Sequence, residues 1–212
     1  MAEPTRTALL VDWGGVLTTN LFASFGAFCE RQGLTAERLG ECFRQDRAFR
    51  ELLFGFEEGT VEEAAFERGF ATALGIEHEG LIDGLFAGVG PDEAMLAAVR
   101  AARAAGVRTG LVSNSWGTRR YDRALLEELF DGVVISGEVG VRKPAPEIYR
   151  LGAERAGAPP QACVYVDDLP FNLPPAAELG MATVHHTEAA GTIAEVERLL
   201  GVALSPASPA RT

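Results

Sequence analysis

Five short apolar segments, separated by amphipathic stretches, constrain the fold of this chain more than any other feature of its sequence. The apolar segments cover residues 8–12, 108–113, 132–136, 163–167 and 182–186. Helical periodicity marks the stretches 92–105, 121–130, 146–156, 174–179 and 192–200. Apolar strands that alternate with helices are typical of a parallel sheet covered by helices on both faces. The sequence therefore predicts an α/β fold with about five parallel strands.

The long interval between the first two predicted strands has a different character. Ten of the twelve phenylalanines lie between Phe22 and Phe86, and apolar residues recur there at helical spacing. We expect a small all-helical unit over residues 20–89, inserted after the first strand. Residues 1–19 and 90–204 are then expected to form the sheet domain. The Ser-, Pro- and Ala-rich segment 205–212 is expected to be a disordered tail.

Composition argues against several classes of partner. The 212 residues include 19 basic and 30 acidic side chains, which give a net charge of −11. Such a chain is not expected to bind nucleic acid or an anionic membrane surface, and no apolar run approaches the ~20 residues of a membrane span. Three widely separated cysteines indicate neither a disulfide framework nor a zinc site. We expect a cytoplasmic protein, whose oligomeric state the sequence leaves open.

Polar residues stand at or just after the ends of the predicted strands. Ligands bind at the carboxyl ends of the strands in a parallel α/β sheet, so these side chains are expected to converge on one pocket. The residues are Asp12 after the first strand, Ser113 and Asn114 after the second, Lys143 after the third, and Asp167 and Asp168 after the fourth. They are the candidate functional residues.

The chemistry of the acidic residues suits phosphoryl transfer. Attack of the Asp12 carboxylate on a phosphoryl group would bring two anions together, and a divalent cation would neutralise them. An all-oxygen site suits Mg²⁺. The expected metal ligands are Asp12, the backbone carbonyl of Gly14, Asp167 (directly or through water) and Asp168 (directly). Adjacent aspartates would repel each other without a cation, which favours metal binding over an ordinary loop.

The other candidates would bind the phosphoryl group. Ser113 and the backbone N–H groups around Asn114 could cradle its oxygens. Lys143 supplies a compact positive charge, and it is the only lysine among the 19 basic residues of the chain. An aspartyl-phosphate on Asp12 would divide one difficult displacement into two easier ones.

In order and spacing, these segments resemble the four motifs of the haloacid dehalogenase (HAD) superfamily. The matching residues are Asp12-Trp13-Gly14-Gly15-Val16, Ser113-Asn114, Lys143-Pro144, and Asp167-Asp168 with Asn172. The resemblance covers nearly the whole chain. It is strongest to the branch that holds the soluble epoxide hydrolase phosphatase domain and a bacterial glucose-1-phosphate phosphatase. It implies a Rossmann-like sheet, a helical cap over residues 20–89 and hydrolysis of a small phosphorylated substrate.

Gly14 departs from the pattern of the phosphatases that the chain resembles. In them the residue two positions after the nucleophile is usually a second aspartate, which protonates the leaving oxygen and later activates water. General acid–base catalysis of this kind contributes about 10²–10⁴-fold. Glu30, Glu57 and Glu58 of the helical unit are candidates for a substitute acid.

Other polar and aromatic residues have structural explanations at least as good as functional ones. Asn172 could orient the acids or cap the helix predicted near it, and the arginine and glutamate pairs are expected to be solvated. The residues concerned are Trp13, Trp116, Arg119-Arg120, Asn172, His185-His186, Glu57-Glu58 and Glu62-Glu63.

The interpretation that these observations favour is a Mg²⁺-dependent hydrolase of a small phosphorylated metabolite. Because Gly14 cannot act as an acid, a weak or inactive phosphoester-binding protein is the alternative. A metal-free dehalogenase is less favoured, since the pair Asp167-Asp168 would be a liability in an apolar halide pocket. Phosphonate hydrolases of the superfamily need a lysine in the helical unit, which has none.

Overall fold

The computed structural model describes residues 5–77 and 79–204, so the segment 205–212, for which disorder is expected, lies outside the described residues. Five strands are present: β1 (Ala8–Val11), β2 (Arg108–Ser113), β3 (Gly132–Ile135), β4 (Cys163–Asp167) and β5 (Ala182–His185). Each strand ends within one residue of its predicted bounds.

The strands form one parallel sheet in the order β3-β2-β1-β4-β5. The first strand of the chain lies at the centre, where Leu10 of β1 pairs with Gly110 of β2 and with Tyr165 of β4. The chain adds strands first on one side of β1 and then on the other. A crevice at such a switch point is the usual ligand site of an open α/β sheet.

The α-helices of the described residues are α1 (Leu21–Arg31), α2 (Ala36–Gln45), α3 (Arg47–Glu57), α4 (Glu63–Leu74), α5 (Leu81–Phe86), α6 (Glu93–Ala104), α7 (Arg123–Leu129), α8 (Ser136–Val139), α9 (Pro146–Ala156), α10 (Leu173–Glu178) and α11 (Ala189–Leu200). None of these helices has the length and apolar character needed to cross a membrane.

Helices cover both faces of the sheet, as expected for buried parallel strands. On one face, α6, α7 and α11 pack against side chains that include Leu9 and Val164. On the other face, α9 and α10 pack against side chains that include Leu10 and Tyr165. Neighbouring residues of a strand point to opposite faces, so β1 to β4 each contribute to both apolar clusters, whereas β5 contributes Val184 to the first only. The predicted α/β class is confirmed.

Helices α1 to α5 lie between β1 and β2 in the chain and form an apolar cluster of their own. We call these five helices the helical insertion. Its centre is aromatic, with Phe56 stacked on Phe66 at a ring-centroid distance of 4.3 Å. Trp116, from the loop after β2, also packs into this cluster, 5.2 Å from the ring of Phe25. A residue of the sheet domain is therefore part of the aromatic core of the insertion.

The two chain segments that connect the helical insertion to the sheet run side by side. Thr18 and Pro91 form an antiparallel bridge, and the N–H of Thr19 donates to the carbonyl of Gly90 at 2.8 Å. Both connections therefore leave the sheet at the carboxyl end of β1. The boundary that we drew at residues 20–89 stays a prediction.

Three local elements differ from the predicted pattern. The helix predicted over 192–200 begins at Ala189, because the side chain of Glu188 accepts hydrogen bonds from the N–H groups of Ala190 and Gly191 and so caps α11. The helix predicted over 121–130 begins at Arg123, because Oδ1 of Asp122 accepts hydrogen bonds from the N–H groups of Ala124 and Leu125 and so caps α7. The one-turn helix α8 after β3 was not predicted, since four residues are too few to show a helical period.

Candidate active site

The ends of β1 and β4 bring three predicted acids to one edge of the sheet. Asp12 follows β1 directly, Asp167 is the last residue of β4, and Asp168 is next in the chain. Their carboxylate oxygens lie within 4.8 Å of one another. Asp12 and Asp167 are buried, so their charges need nearby compensation.

Lys143 lies between two of these acids. Its Nζ is 2.8 Å from Oδ1 of Asp12 and 2.7 Å from Oδ2 of Asp167. The side chain of Lys143 is only 1% exposed, so its charge is desolvated and is balanced by the two carboxylates. The single lysine of the chain therefore fixes two of the predicted acids relative to each other.

Four protein donors occupy both carboxylate oxygens of Asp167. Oδ2 accepts from Nζ of Lys143 and from the hydroxyl of Tyr165. Oδ1 accepts from the N–H of Leu169 at 2.9 Å and from Nδ2 of Asn172 at 3.0 Å. A carboxylate has about four acceptor sites, so Asp167 is nearly saturated. Asn172 was expected either to orient the acids or to cap the helix near it. Its side chain makes no capping hydrogen bond to α10 and instead donates to Asp167.

Asp168 is less buried than Asp167 and lies against the loop that follows β1. A Cβ atom at position 15 would be 2.4 Å from Oδ2 of Asp168, so only glycine permits this approach. Gly15 also has φ of 75°, a left-handed conformation that glycine adopts without strain. Gly15 is therefore required both by the turn and by the position of Asp168.

Burial and repulsion by neighbouring carboxylates raise the pKa values of Asp12 and Asp168. The pKa of Asp12 is raised to about 7, first by burial, against the opposing charge of Lys143, and further by Asp167 and Asp168. The pKa of Asp168 is raised to about 6 by burial and by Asp167. Burial by itself would lower the pKa of Lys143, but Asp12 and Asp167 outweigh it and the pKa is raised. One ammonium does not fully compensate three carboxylates.

Asn114 and Ser113, both predicted to bind a phosphoryl group, have different surroundings. Oδ1 of Asn114 accepts from the N–H of Lys143 at 2.8 Å, and its Nδ2 donates to the Lys143 carbonyl at 3.1 Å. Asn114 therefore holds the backbone that carries Lys143. The buried hydroxyl of Ser113 is 2.9 Å from that of Tyr121. Ser113 lines a cavity of about 470 Å³, adjacent to the larger one that contains Asp12.

A cavity of about 720 Å³, lined by both the sheet domain and the helical insertion, contains Asp12, Lys143 and Asp168. We call it the active-site cavity. Gly14 also lines it, and its backbone is not in the left-handed region. The assignment of the Gly14 carbonyl as a metal ligand stays a prediction.

Glu57 does not lie on a solvated helix face, and that expectation is wrong. At the C-terminus of α3 it is 6% exposed and lines the active-site cavity. Nε of Arg142 is 2.5 Å from its Oε2, and Nδ2 of Asn114 is 3.5 Å from the same oxygen. Burial raises the pKa of Glu57, although Arg142 opposes the shift. The sequence of α3 contains no sign of the loops that bury this residue.

Arg119 and Arg120 contact acids of the helical insertion. Arg119 forms an ion pair with Glu63, and Nη1 of Arg120 is 2.9 Å from Oδ1 of Asp83. Arg119 and Glu62 are exposed, as expected, whereas the side chains of Arg120 and Glu63 are each only 25% exposed. These pairs connect the loop after β2 to the insertion.

The remaining weak candidates have structural partners. Nε2 of His185 is 3.0 Å from the carbonyl oxygen of Asp168, and Nδ1 of His186 is 3.0 Å from the hydroxyl of Thr192. The ring of Trp13 packs against Tyr121 at 5.6 Å. His185, His186 and Trp13 do not line the active-site cavity.

Tyr165 and Arg142 belong to the site but were not among the predicted residues. Tyr165 lies two residues before Asp167 in β4, and residues at this spacing point to the same face of a strand. That periodicity was a signal that could have linked the two side chains. Arg142 gave no comparable signal, because its partner Glu57 is distant in the chain.

The donor set fits a hard divalent cation such as Mg²⁺. Asp12 and Asp168 supply carboxylate oxygens, whereas those of Asp167 are held by protein donors. In addition, Oδ1 of Asn172 is buried and has no hydrogen-bond partner among the described residues. An open acceptor beside three acids suits the water molecules that Mg²⁺ usually retains.

Comparison with known proteins places this geometry in a family. A family model described as haloacid dehalogenase-like hydrolase matches residues 7–180. Bifunctional epoxide hydrolase 2 of Rattus norvegicus is 32% identical over 114 residues, which are 50% of this chain and 21% of the relative. Glyceraldehyde 3-phosphate phosphatase of Methanocaldococcus jannaschii is 31% identical over 86 residues, which are 39% of this chain and 38% of the relative. The chain thus spans about a fifth of the epoxide hydrolases that it matches.

Solved structures share the fold over most of the chain. A HAD family enzyme of Bacteroides thetaiotaomicron, in complex with magnesium and inorganic phosphate, has a TM-score of 0.63 at 23% identity and covers 86% of this chain and 94% of its own. A HAD-like family hydrolase of Porphyromonas gingivalis has a TM-score of 0.66 at 21% identity, with 93% and 98% covered. A structure described as a dehalogenase also has a TM-score of 0.66, at 19% identity, with 94% and 99% covered. The solved structures show the fold, and the family model over residues 7–180 shows that this chain belongs to the haloacid dehalogenase-like hydrolases.

Proposed function

We propose that this protein is a Mg²⁺-dependent phosphohydrolase that acts on a small phosphorylated metabolite through an aspartyl-phosphate on Asp12. The observation that carries the proposal is the position of Lys143 between Asp12 and Asp167, beside Asp168 and within a cavity. Phosphoryl transfer needs a nucleophile and positive charge at one point, and this arrangement offers both.

Similarities to named proteins support the proposal. One curated relative is named as a glyceraldehyde 3-phosphate phosphatase and another as a fructose-1-phosphate phosphatase. The Bacteroides thetaiotaomicron structure contains magnesium and inorganic phosphate. A small phosphorylated substrate is therefore the class that we propose for this chain.

Asp12 is the proposed nucleophile. Its Oδ1 accepts from the N–H of Trp13 at 2.7 Å and is paired with Lys143, which leaves Oδ2 to attack phosphorus. In the first step a bond forms between Oδ2 and phosphorus, and the bond from phosphorus to the leaving oxygen breaks. In the second step water attacks the same phosphorus, the bond to Asp12 breaks, and inorganic phosphate is released.

Lys143 is proposed to contact a phosphoryl oxygen while it holds Asp12 in place. Mg²⁺ bound by Asp12, Asp168 and the Gly14 carbonyl would neutralise charge on the phosphoryl group. Asp167 would act through its hydrogen bonds or through a metal-bound water. Backbone N–H groups after β2, next to Ser113 and Asn114, stay proposed as donors to the phosphoryl oxygens.

A proton for the leaving oxygen must come from a group other than Gly14. Of the three glutamates considered, Glu57 lines the active-site cavity, whereas Glu30 and Glu58 do not. Because its pKa is raised, a larger fraction of Glu57 is protonated at a given pH than of an ordinary glutamate. We propose Glu57 as the acid if the protein supplies one; water or the substrate supplies the proton otherwise.

A phosphoester-binding protein with little turnover is the second candidate function, and Gly14 is the observation that favours it. Such a protein would keep the charged cluster and lose only the proton transfer steps. A metal-free dehalogenase is the third candidate. The pair Asp167-Asp168 beside Asp12 argues against it, since these two acids would repel a halide in the absence of a cation.

We also propose that the protein is cytoplasmic and does not bind nucleic acid. Cys29, Cys42 and Cys163 are free and buried, as is usual in a reducing compartment. The net charge of −11 opposes contact with a phosphate backbone.

A screen of phosphorylated metabolites, with p-nitrophenyl phosphate as the reference and Mg²⁺ added, tests the proposed function. Release of inorganic phosphate that stops when EDTA is added is the expected result. Tight binding of phosphate analogues with no turnover of any substrate would favour the binding protein. Metal-independent release of halide from a 2-haloacid, assayed in parallel with EDTA, would favour the dehalogenase.

Binding of Mg²⁺ should raise the melting temperature of the wild-type protein, and Asp168→Asn should lose this effect. The reason is that Asp168 is an acceptor open to a cation, and binding to the folded state alone stabilises it. Glu127→Gln removes an exposed acid outside both cavities and is the matched control. Equal Mg²⁺ affinity of Asp168→Asn and wild type in calorimetry would contradict the metal assignment.

The stability of the metal-free protein should fall as the pH rises from 5 to 8. A carboxyl group whose pKa is raised by folding stabilises the protein below its unfolded pKa, and that contribution is lost as the pH rises through the folded pKa. The folded pKa values are about 7 for Asp12 and about 6 for Asp168. Mg²⁺ must displace these protons, so its apparent affinity should increase over the same range. Thermal melts at several pH values, with Mg²⁺ or EDTA, measure both trends, and a flat profile would contradict them.

A further inference from the structure

We propose that the active-site cavity selects phosphomonoesters with an apolar alkyl or aryl group, and that Phe22, Phe54 and Phe171 bind this group. The phosphoryl end of this assignment rests on the function proposed above. The new element is the chemical class of the rest of the substrate.

Three large apolar side chains are exposed in the part of the chain that the structure describes. They are Phe22 (53% exposed), Phe54 (39%) and Phe171 (57%). All three line the active-site cavity, although they come from α1, from α3 and from the turn Pro170–Asn172 after β4. Single exposed apolar residues need no explanation, but a group confined to one cavity marks a surface for an apolar ligand.

The more deeply placed walls of the cavity are also apolar. Buried Phe25, Leu39 and Leu53 and half-buried Phe43 and Trp116 are part of the lining. The volume of about 720 Å³ is well above the space that a phosphate group needs and lies within the range of small-molecule sites. An alkyl or aryl group bound there would remove apolar surface on both partners from water.

The cavity offers few partners for the hydroxyl groups of a sugar or polyol. Glu57 is paired with Arg142, and the amide of Asn114 holds the backbone of Lys143. Among the described residues, no serine, threonine, tyrosine, glutamine or histidine side chain lines this cavity. Hydroxyl groups would therefore lose hydrogen bonds to water without replacement, which is unfavourable.

Asn172 and two further charged side chains, Arg44 and Arg50, complete the polar part of the lining. The amide of Asn172 donates to Asp167 and its Oδ1 lies beside the three acids, so Asn172 belongs to the phosphoryl end of the cavity. Nη1 of Arg50 donates to the backbone carbonyl of Arg44 at 2.5 Å. A guanidinium can donate to the oxygen of a substrate hydroxyl, but it cannot accept the hydrogen bond that the hydroxyl donates. The two arginines would therefore satisfy the hydroxyl groups of a sugar only in part, which still favours an apolar group.

Calorimetry with a series of n-alkylphosphonates, from ethyl to hexyl, tests the inference on the full chain in the presence of Mg²⁺. We expect the affinity to increase about two- to fourfold for each added methylene. 2,3-Dihydroxypropylphosphonate should bind at least about tenfold more weakly than pentylphosphonate, which has a similar size but no hydroxyl groups. An affinity that does not depend on chain length, or equal binding of these two compounds, would overturn the inference.

Variants test the assignment to the three rings. In the triple variant Phe22→Ala, Phe54→Ala, Phe171→Ala, the gain per methylene should fall below about twofold, because only the deeper apolar walls remain. Leu125→Ala removes an apolar side chain that lines only the adjacent cavity and packs against the sheet domain, so it should retain the wild-type dependence. Because the replaced rings of the triple variant are exposed, its fold is expected to persist, and a thermal melt checks this. An unchanged dependence in the folded triple variant would overturn the assignment.

The series also separates this inference from the proposed function, since phosphonates bind without being hydrolysed. Dependence on chain length in a protein that hydrolyses no phosphomonoester would support the apolar site and reject the phosphatase. Metal-dependent hydrolysis without any dependence on chain length would reject the apolar site alone.

Discussion

Replacement of Asp12 by asparagine should lower metal-dependent turnover of p-nitrophenyl phosphate by at least about 10³-fold. The amide that replaces the carboxylate is a poor nucleophile and cannot form the aspartyl-phosphate. The substitution also removes one of the two carboxylates that balance the charge of Lys143, although Asp167 still pairs with the ammonium at 2.7 Å. Steady-state kinetics at saturating Mg²⁺ measure the loss, and a thermal melt confirms that the variant is folded.

A second measurement on the same variant tests the covalent step. Beryllium fluoride with Mg²⁺ should mimic the acyl-phosphate on Asp12 and protect wild type from heat, whereas Asp12→Asn should gain no protection. Glu127→Gln is again the control, because Glu127 is an exposed acid outside both cavities. Undiminished turnover in Asp12→Asn would show that the phosphoryl group is not transferred to this residue.

Introduction of aspartate at position 14 should accelerate hydrolysis of alkyl phosphates by about 10- to 10³-fold. Without a general acid, the first step should depend steeply on the pKa of the leaving group, so wild type should prefer aryl and acyl phosphates. Loss of the base should also let the aspartyl-phosphate accumulate, which gives a pre-steady-state burst. Gly14→Asp should flatten the leaving-group dependence and remove the burst.

The structure allows this substitution once a single contact is relieved. Gly14 is not in the left-handed region, so an aspartate there needs no unusual backbone conformation. A Cβ atom at this position would lie 2.7 Å from Cδ1 of Leu21, which is the flexible end of a side chain. The double variant Gly14→Asp, Leu21→Ala therefore accompanies the single one, with Leu21→Ala as its control.

Glu57→Gln distinguishes the possible sources of the proton. If Glu57 donates the proton, this variant should hydrolyse alkyl phosphates more slowly, with a smaller effect on aryl phosphates. Addition of Gly14→Asp should then restore the rate of alkyl phosphate hydrolysis. If wild type cleaves alkyl phosphates without a burst and Glu57→Gln changes nothing, the assignment of Glu57 is wrong. A folded Gly14→Asp variant that stays inert towards every phosphoester, while wild type binds phosphate analogues tightly, would favour the binding protein.

The sheet and its acids were accessible from the sequence for simple physical reasons. Strands β1 and β4 are apolar runs buried along their whole length, so their bounds are visible in the composition. Parallel strands end at the same edge of a sheet, which places Asp12 near Asp167 and Asp168 without knowledge of any contact. The unusual choice of lysine at position 143 was a further local signal.

Side-chain environments that depend on distant segments were not accessible in the same way. Glu57 follows the helical pattern of α3, but the carbonyl of this residue accepts from the hydroxyl of Ser136 and its carboxylate pairs with Arg142, both far along the chain. The hydroxyl of Ser113 bonds to Tyr121, a partner that strand periodicity does not reveal. Local patterns therefore predict which residues reach the edge of the sheet but not which groups each of them contacts.

β1 lies at the centre of the sheet although it is the first strand of the chain. Its partners in β2 and β4 are about 100 and about 155 residues away, so two large loops must close before either ladder forms. The helices of the insertion depend on contacts over much shorter separations and should form earlier in folding. Until the loops close, Ala8–Val11 is an unpaired apolar strand with free backbone groups on both edges. Intermolecular strand pairing should therefore be the main competitor of refolding, and the yield should fall as protein concentration rises.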